Sequence, residues 1–398
     1  MSMLMTRVRP CVRRAMATSV RRSASTNARQ HIALMRAHTV VPETVVAARA
    51  RLGVSRRNFA THPSSAIWAA AQTLGSTASA VDEQLAAINA VQITADSESE
   101  RDQQALEIVR SDALVHVVRL LASPSSPELC IPAFVALIKM SSNALIVQEL
   151  VRLNVPGVVV GHLQSHDFRL QMASCLLIGN IAVDRSSEKA VATQEVVHVL
   201  LDVLDSPQEA VQRAAVTCLG SIATFASGRE ALGEESAALF AELLSPERSD
   251  SLRSAAAFAL GNALSGHDIN AQDVLRECGG LAELVMMLSP SFPEEVTSAA
   301  AWALHHGVHF HQANQSLVHD AGGIGLLLQH LPASRNYSEA AQTNVLLALE
   351  SVVSGNSTNQ QFCREYGAPV MLNELKEVEE ELNQNAKRAL ASIKQALA

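Results

Sequence analysis

Leucines that close an apolar run and precede a turn recur along this chain at nearly constant intervals. The spacings between successive leucines are 42, 41, 40, 44, 43 and 44 residues. The seven positions are Leu121, Leu163, Leu204, Leu244, Leu288, Leu331 and Leu375. A period of this length is the signature of a repeat architecture, in which each unit buries its apolar face only by stacking on its neighbours.

Each interval has the same internal pattern. A proline follows the closing leucine in several units, and it separates two helices because it lacks an amide donor. Glycines at 279–280, 322–323 and 367 precede the apolar run, where they permit the positive φ of a tight turn. Ala-rich stretches such as 252–264 and 296–308 follow, and their apolar residues lie three and four apart. This spacing predicts helices, so one unit is a short helix, a second helix and a longer third helix.

These units resemble the armadillo repeat. The resemblance is carried by ECGGLAELVMML (277–288), DAGGIGLLLQHL (320–331), ALGNAL (259–264) and AAAWAL (299–304). It implies an all-α fold, a right-handed α-solenoid of about seven three-helix repeats. HEAT repeats are the alternative, and the paired glycines and the three-helix unit favour armadillo.

Composition separates a basic leader from an acidic body. Residues 1–60 hold twelve Arg, no Lys and one acid, Glu43; since the chain has 31 basic and 39 acidic residues, 19 basic and 38 acidic residues remain. An Arg-rich, Ser-containing segment with few acids is typical of a mitochondrial presequence, and Arg57, Phe59 and Ala60 fit a matrix processing pattern with cleavage after Phe59. The expected domains are a presequence at 1–59, a linker at 60–80, an armadillo-like array at 81–378 and a capping helix at 379–398.

The third helices contain the candidate binding residues. In armadillo proteins these helices line a concave groove, and in nuclear-import receptors of that family Trp and Asn one turn apart bind an extended peptide. Only fragments of that array are present here, such as Phe258 with Asn262, so cargo recognition does not transfer. The resemblance implies a protein-binding groove with the candidates Asn180, Ser221, Phe258, Asn262, Trp302, His306 and Ser351.

Motifs for catalysis are absent from the sequence. We find no phosphate-binding loop, dinucleotide fingerprint, zinc-protease motif or nucleophile elbow, and we expect no enzyme activity, no cofactor and no small-molecule substrate. His305 and His309 lie one helical turn apart, a spacing found in metal sites. No carboxylate or Cys within a turn completes a ligand set, so we expect a polar, solvent-facing edge and no metal.

The acidic body constrains the partner. It disfavours direct nucleic-acid binding and favours a protein with basic patches, and no apolar run is long enough to predict a membrane span. The sequence therefore predicts a non-catalytic scaffold in the mitochondrial matrix or on the matrix side of the inner membrane; a chloroplast address is the rival. We expect an accessory or assembly subunit of a respiratory complex, the ATP synthase peripheral apparatus or the mitoribosome. The alternative is a transient peptide-binding adaptor or chaperone that uses the concave groove.

Overall fold

The computed structural model describes residues 66–76, 78–93, 97–122, 127–331, 337–375 and 382–398. Within these ranges the chain forms helices and turns and contains no strand. The described residues fall into two compact units, the N-terminal unit up to Val203 and the C-terminal unit from Leu204. The expected presequence, with Arg57, Phe59 and Ala60 at its processing site, lies outside the described residues.

Among its described residues, the N-terminal unit contains ten α-helices and one short 3-10 helix at Arg185–Ser187. The α-helices are α1 (Ala66–Gly75), α2 (Val81–Ala90), α3 (Glu98–Arg110), α4 (Ala113–Leu121), α5 (Pro127–Met140), α6 (Ala144–Arg152), α7 (Val155–Leu163), α8 (Phe168–Ile181), α9 (Glu188–Val191) and α10 (Gln194–Val203). In the described part of the chain, no single helix has the length and hydropathy of a membrane span; α6 and α7 meet both criteria only as a pair, and they are bent by 79°.

The C-terminal unit contains thirteen α-helices among its described residues. They are α11 (Glu209–Ile222), α12 (Ala226–Leu232), α13 (Ser236–Glu242), α14 (Asp250–Leu264), α15 (Ile269–Glu277), α16 (Gly280–Met286), α17 (Glu294–Val308), α18 (Gln312–Asp320), α19 (Gly323–Gln329), α20 (Glu339–Val353), α21 (Ser357–Glu365), α22 (Ala368–Glu374) and α23 (Gln384–Leu397).

From α3 onward the helices group into seven successive triplets, which confirms an all-α fold of three-helix repeats. The boundary between the two units falls inside the third triplet, after α10. Every closing leucine lies at the end of a second helix or just beyond it, and all seven are buried. The recurring leucine therefore marks the same packing position in each repeat.

Two segments flanking the repeats also form helices. Within the segment near 60–80, for which the sequence predicts a linker or a loosely docked helix, residues 66–75 form α1, which packs on α2 and α4 because Ile67, Ala70, Ala71 and Leu74 make one buried face. The closing helix predicted at 379–398 lies where α23 forms. This helix packs on α20 as the third helix of the last repeat, with Leu390 and Ile393 buried.

Paired glycines open the second helix in two repeats. Gly279 has φ of 82°, in the left-handed region that residues with a Cβ rarely adopt. At Gly280 the constraint is space, because a Cβ there would lie 2.9 Å from the Cβ of Ala241. In the N-terminal unit the same turn is made without glycine by Asp112 and Asn154, which also have positive φ.

The carbonyl of the closing leucine accepts a hydrogen bond from a side chain in five repeats. A helix end leaves such carbonyls without an intrahelical donor, and here histidine, glutamine or arginine side chains supply one. The pairs are His162 Nε2 with Leu121 (2.7 Å), Gln171 Nε2 with Leu163 (3.2 Å), Gln212 Nε2 with Leu204 (2.9 Å), Arg253 Nε with Leu244 (3.0 Å) and His330 Nε2 with Leu288 (2.6 Å).

A buried amide ladder joins successive repeats in the C-terminal unit. It consists of Gln272, Asn314, Gln315 and Asn359 on the first helices α15, α18 and α21, each at most 2% exposed. Asn314 Nδ2 donates to the backbone oxygens of Gln272 (3.0 Å) and Gly307 (2.8 Å). One repeat later, Asn359 Nδ2 donates to those of Gln315 (3.3 Å) and Val352 (2.8 Å). Each asparagine thus ties the first helix of its own repeat to the first and third helices of the preceding repeat.

We expect Asn314→Ala to lower the free energy of unfolding by about 2–4 kcal/mol, because it removes two buried hydrogen bonds and leaves the acceptor carbonyls without a donor. Gln312→Ala is the control, since Gln312 is exposed on the same helix. Urea unfolding followed by circular dichroism measures both midpoints. Equal midpoints for the two variants would show that the ladder contributes nothing to stability.

Candidate functional site

The third helices of the C-terminal unit, α11, α14, α17 and α20, pack directly on one another. Small residues make the close approach possible. A Cβ at Gly220 would lie 3.0 Å from both Cα and Cβ of Ala259, and one at Gly261 would lie 2.3 Å from Cδ1 of Trp302. These four helices therefore present one shared face, which we call the third-helix face.

The seven candidate binding residues divide between the two units. Asn180 lies on α8 in the N-terminal unit, where its Nδ2 donates to Ser141 Oγ at 2.9 Å and to the oxygen of Ile138 at 3.4 Å. The other six lie on the third-helix face or directly beneath it. Asn180 therefore serves packing inside its own unit, as a link to the preceding repeat.

Phe258 and Trp302 are the aromatic residues that reach the third-helix face. The Phe258 side chain is 52% exposed, and Trp302 is partly exposed. Small polar side chains surround them on the neighbouring helices, including exposed Thr217 and half-buried Ser221. Ser221 Oγ makes only a local bond to the oxygen of Thr217, at 3.3 Å. This part of the face is available to a partner.

Asn262 is committed to the helix packing. It is 5% exposed; its Nδ2 donates to the oxygen of Gly220 (3.0 Å) and its Oδ1 accepts from Trp302 Nε1 (2.9 Å). The resemblance implied Trp and Asn acting side by side on one helix. Here the indole of one repeat pairs with the amide of the preceding repeat, so Asn262 orients Trp302 and does not face a ligand.

His306 and Ser351 also lie beneath the surface, at 7% and 0% exposure. The sequence placed them in a row of groove contacts, and that row is interrupted because both side chains fill the interface between adjacent third helices. Ser351 Oγ lies 2.7 Å from His305 Nδ1 and 3.2 Å from His309 Nδ1. His305 Nδ1 is also 3.1 Å from the oxygen of Leu347.

Four imidazole rings meet at the carboxyl end of α17. We call this set, His267, His305, His306 and His309, the histidine cluster. The ring centroids are 4.5 Å apart for His267 and His309 and 4.5 Å apart for His305 and His306. His306 also meets Trp302 edge-on, at 4.4 Å. The sequence pointed to three of these residues; His267 joins them from the turn before α15, which only the fold reveals.

The cluster is held in its neutral form. Burial, with a smaller contribution from the charge of the neighbouring histidines, lowers the pKa of His305 to about 4 and that of His306 to about 2. Burial also lowers the pKa values of His267 and His309, with Arg229 adding to the effect at His267. The solvent-facing edge expected here is wrong for His306, which is 7% exposed. His305 and His309 are partly buried against α20, and His267 in the α14–α15 turn is exposed.

Neutral imidazole is the form of histidine that binds metal ions, so the arrangement of the groups decides whether a site exists here. Across the described ranges, no group of three or more His, Cys, Asp or Glu residues has an arrangement that could hold a metal ion. His305 Nδ1 and His309 Nδ1 are both directed to Ser351 Oγ.

The repeat geometry agrees with comparisons to known proteins. Residues 270–306, which cover most of α15 to α17, match the family model of the armadillo/β-catenin-like repeat. An engineered protein whose crystal structure comes from the Northeast Structural Genomics Consortium is 26% identical, with a TM-score of 0.69 over 82% of this chain and 78% of that one. The fold is that of armadillo repeat proteins.

Two designed armadillo repeat proteins are also similar to this chain. One is 22% identical with a TM-score of 0.53, over 61% of this chain and 99% of that one. The second, a complex with the peptide (KR)4, is 23% identical with a TM-score of 0.51 over the same shares. A comparison with curated proteins gives no significant match.

We expect Trp302→Phe to reduce the free energy of unfolding by about 1–3 kcal/mol, because the buried Asn262 Oδ1 loses its donor. Phe258→Leu is the control on the same face, and its effect should stay within about 0.5 kcal/mol because the side chain is largely exposed. Urea midpoints report both. If Trp302→Phe behaves like the control, the indole–amide bond does not order this face.

Proposed function

We propose that this chain is a non-catalytic protein-binding scaffold of mitochondria, an accessory or assembly subunit of a large complex such as a respiratory complex, the ATP synthase peripheral apparatus or the mitoribosome. The observation that carries the binding role is the third-helix face, where exposed Phe258 and partly exposed Trp302 lie among small polar side chains. Aromatic anchors beside a polar surface are typical of protein interfaces.

Charge supports a partner with basic patches. Four third helices of the C-terminal unit, α11, α14, α17 and α20, have a carboxylate in the first turn, and α23 has none. These carboxylates belong to Glu209, Asp250, Glu294 with Glu295, and Glu339. Glu209 and Glu294 accept hydrogen bonds from Ser249 and Ser338, the N-cap residues of the following third helices. A carboxylate at this position in four successive repeats suits a partner with basic groups at regular spacing.

The peptide complex of the designed relative favours a second candidate, a transient adaptor or chaperone that holds an extended basic segment. That relative is bound to (KR)4. The two candidates use the same face and differ in how long the partner stays. A stable subunit comigrates with its complex, whereas a transient adaptor is found mainly free.

We expect Phe258→Ser to abolish capture of the partner from detergent-solubilised mitochondria, since it removes the exposed anchor. Phe168→Ser is the matched control, because Phe168 is 49% exposed but lies in the N-terminal unit. Native gels and identification of co-purifying chains provide the readout. The same set of partners with both variants would remove the third-helix face from the proposal, and a free monomer in wild-type mitochondria would exclude a stable subunit.

The proposed location has its own test. The mature protein from mitochondria should begin at Ala60, because cleavage after Phe59 removes the Arg-rich leader. Mass spectrometry of the amino-terminal peptide measures this directly. A mature protein that retains Met1 would contradict the presequence.

A further inference from the structure

We propose that the histidine cluster is an acid-operated switch that releases the carboxyl end of α17 from its neighbours within the C-terminal unit. The proposal concerns the fold itself and does not depend on any partner. It rests on how the four rings are packed, on the groups around them and on the hydrogen bonds made by their own backbone.

The rings are close enough that charge on one disfavours charge on the others. His267 lies 4.5 Å from His309 and 5.4 Å from His306, and His305 lies 5.5 Å from His309, centroid to centroid. Like charges at such distances repel most strongly at buried His306 and at partly buried His305 and His309, because little water screens them there, whereas His267 is exposed and better screened. The folded unit therefore accommodates the cluster only while most of its rings are neutral.

The surrounding charges do not compensate protonation. Arg229 of α12 and Arg388 of α23 act on the cluster as like charges, and Glu350 of α20 is the carboxylate that favours the charged form of His309. Asp273 of α15 already interacts with Arg276 and with His311 Nε2, the latter at 3.1 Å. Arg253 of α14 and Glu283 of α16 interact electrostatically with each other. His319 of α18 contacts the ring of Phe362.

His306 is the member of the cluster whose surroundings are least suited to a protonated ring. Neither of its ring nitrogens has a hydrogen-bond partner in the described part of the chain, and both are buried. A protonated imidazole has two donors that need acceptors. Protonation at His306 therefore requires the ring to leave its present position.

The backbone around the cluster supplies the moving part. Gln272 Nε2 donates to the oxygens of His306 (2.7 Å) and His309 (3.1 Å), and Asn314 Nδ2 donates to that of Gly307 (2.8 Å). Release of the α17 terminus breaks these bonds together. It also removes the His306 ring from Trp302 and so changes the third-helix face.

The pH dependence follows from proton binding. A histidine whose pKa is lowered in the closed form binds its proton more readily once the segment opens. The closed form is fully favoured above about pH 6.5 and loses its advantage progressively as the pH falls toward the lowered values. Because several histidines are released together, opening takes up more than one proton.

The experiment uses the full chain with Trp68→Phe, which leaves Trp302 as the sole tryptophan. Its fluorescence and the far-ultraviolet circular dichroism are recorded from about pH 8 to about pH 4.5. We expect the Trp302 emission to move to longer wavelength below about pH 6.5 while helicity is retained. The steepness of this change against pH should correspond to the uptake of more than one proton.

A His267→Asn, His309→Gln double variant should reduce the slope by about one to two protons, since it removes two titrating groups. The single His309→Gln variant replaces it if circular dichroism at neutral pH shows that the double variant does not fold. His198→Gln, at an exposed position on α10, is the control and should match the parent. An unshifted emission, a shift that coincides with general loss of helicity, or an unchanged slope in the cluster variant would overturn the switch.

Discussion

The C-terminal unit depends on buried amide groups that bridge from one repeat to the next. Hydrophobic packing of Leu, Val and Ala drives the stack together, but it is non-directional and tolerates sliding of one helix along another. A buried amide that must reach two particular carbonyls does not tolerate such sliding, because a misplaced helix would leave the amide and the carbonyls buried without hydrogen bonds. Asn314 and Asn359 therefore determine the register between repeats, and the apolar residues supply most of the stabilisation.

This use of polar residues explains why the candidate site differs from its expected form. A row of Asn, Ser and His on third helices suggests contacts for a ligand. In the structure Asn262 and Ser351 make hydrogen bonds to neighbouring third helices, and His306 is buried among them without a hydrogen bond from its ring to any described residue. Phe258, Trp302, Thr217 and Ser221 face outward. The polar row is thus largely an internal feature of the stack, and the partner-binding surface that we propose is the aromatic part that it supports.

Much of the fold was predictable from local signals that recur. The closing leucines, the third-helix stretches and the glycines before the second helix all depend on nearest neighbours in sequence, and they appear where they were expected. The turns at Asp112 and Asn154 were not predicted, because aspartate and asparagine can adopt positive φ and no glycine marks these positions in the sequence. His267 was not predicted as part of the cluster for a different reason. It lies 38 residues before His305, and the two come together only when the helices pack. The capping of leucine carbonyls by His, Gln or Arg lacks a fixed residue type and so leaves no readable motif.

The close packing of Trp302 against Gly261 limits how the repeats of this protein can be exchanged. The indole occupies the space left by a missing side chain in one repeat and donates its hydrogen bond to an amide oxygen of that same repeat. The 269–308 segment is therefore not an interchangeable module. Inserted beside a repeat that has alanine and leucine in place of Gly261 and Asn262, it would lose both the cavity and the acceptor for its tryptophan, so recombination of this array is viable only when neighbouring repeats are exchanged as pairs.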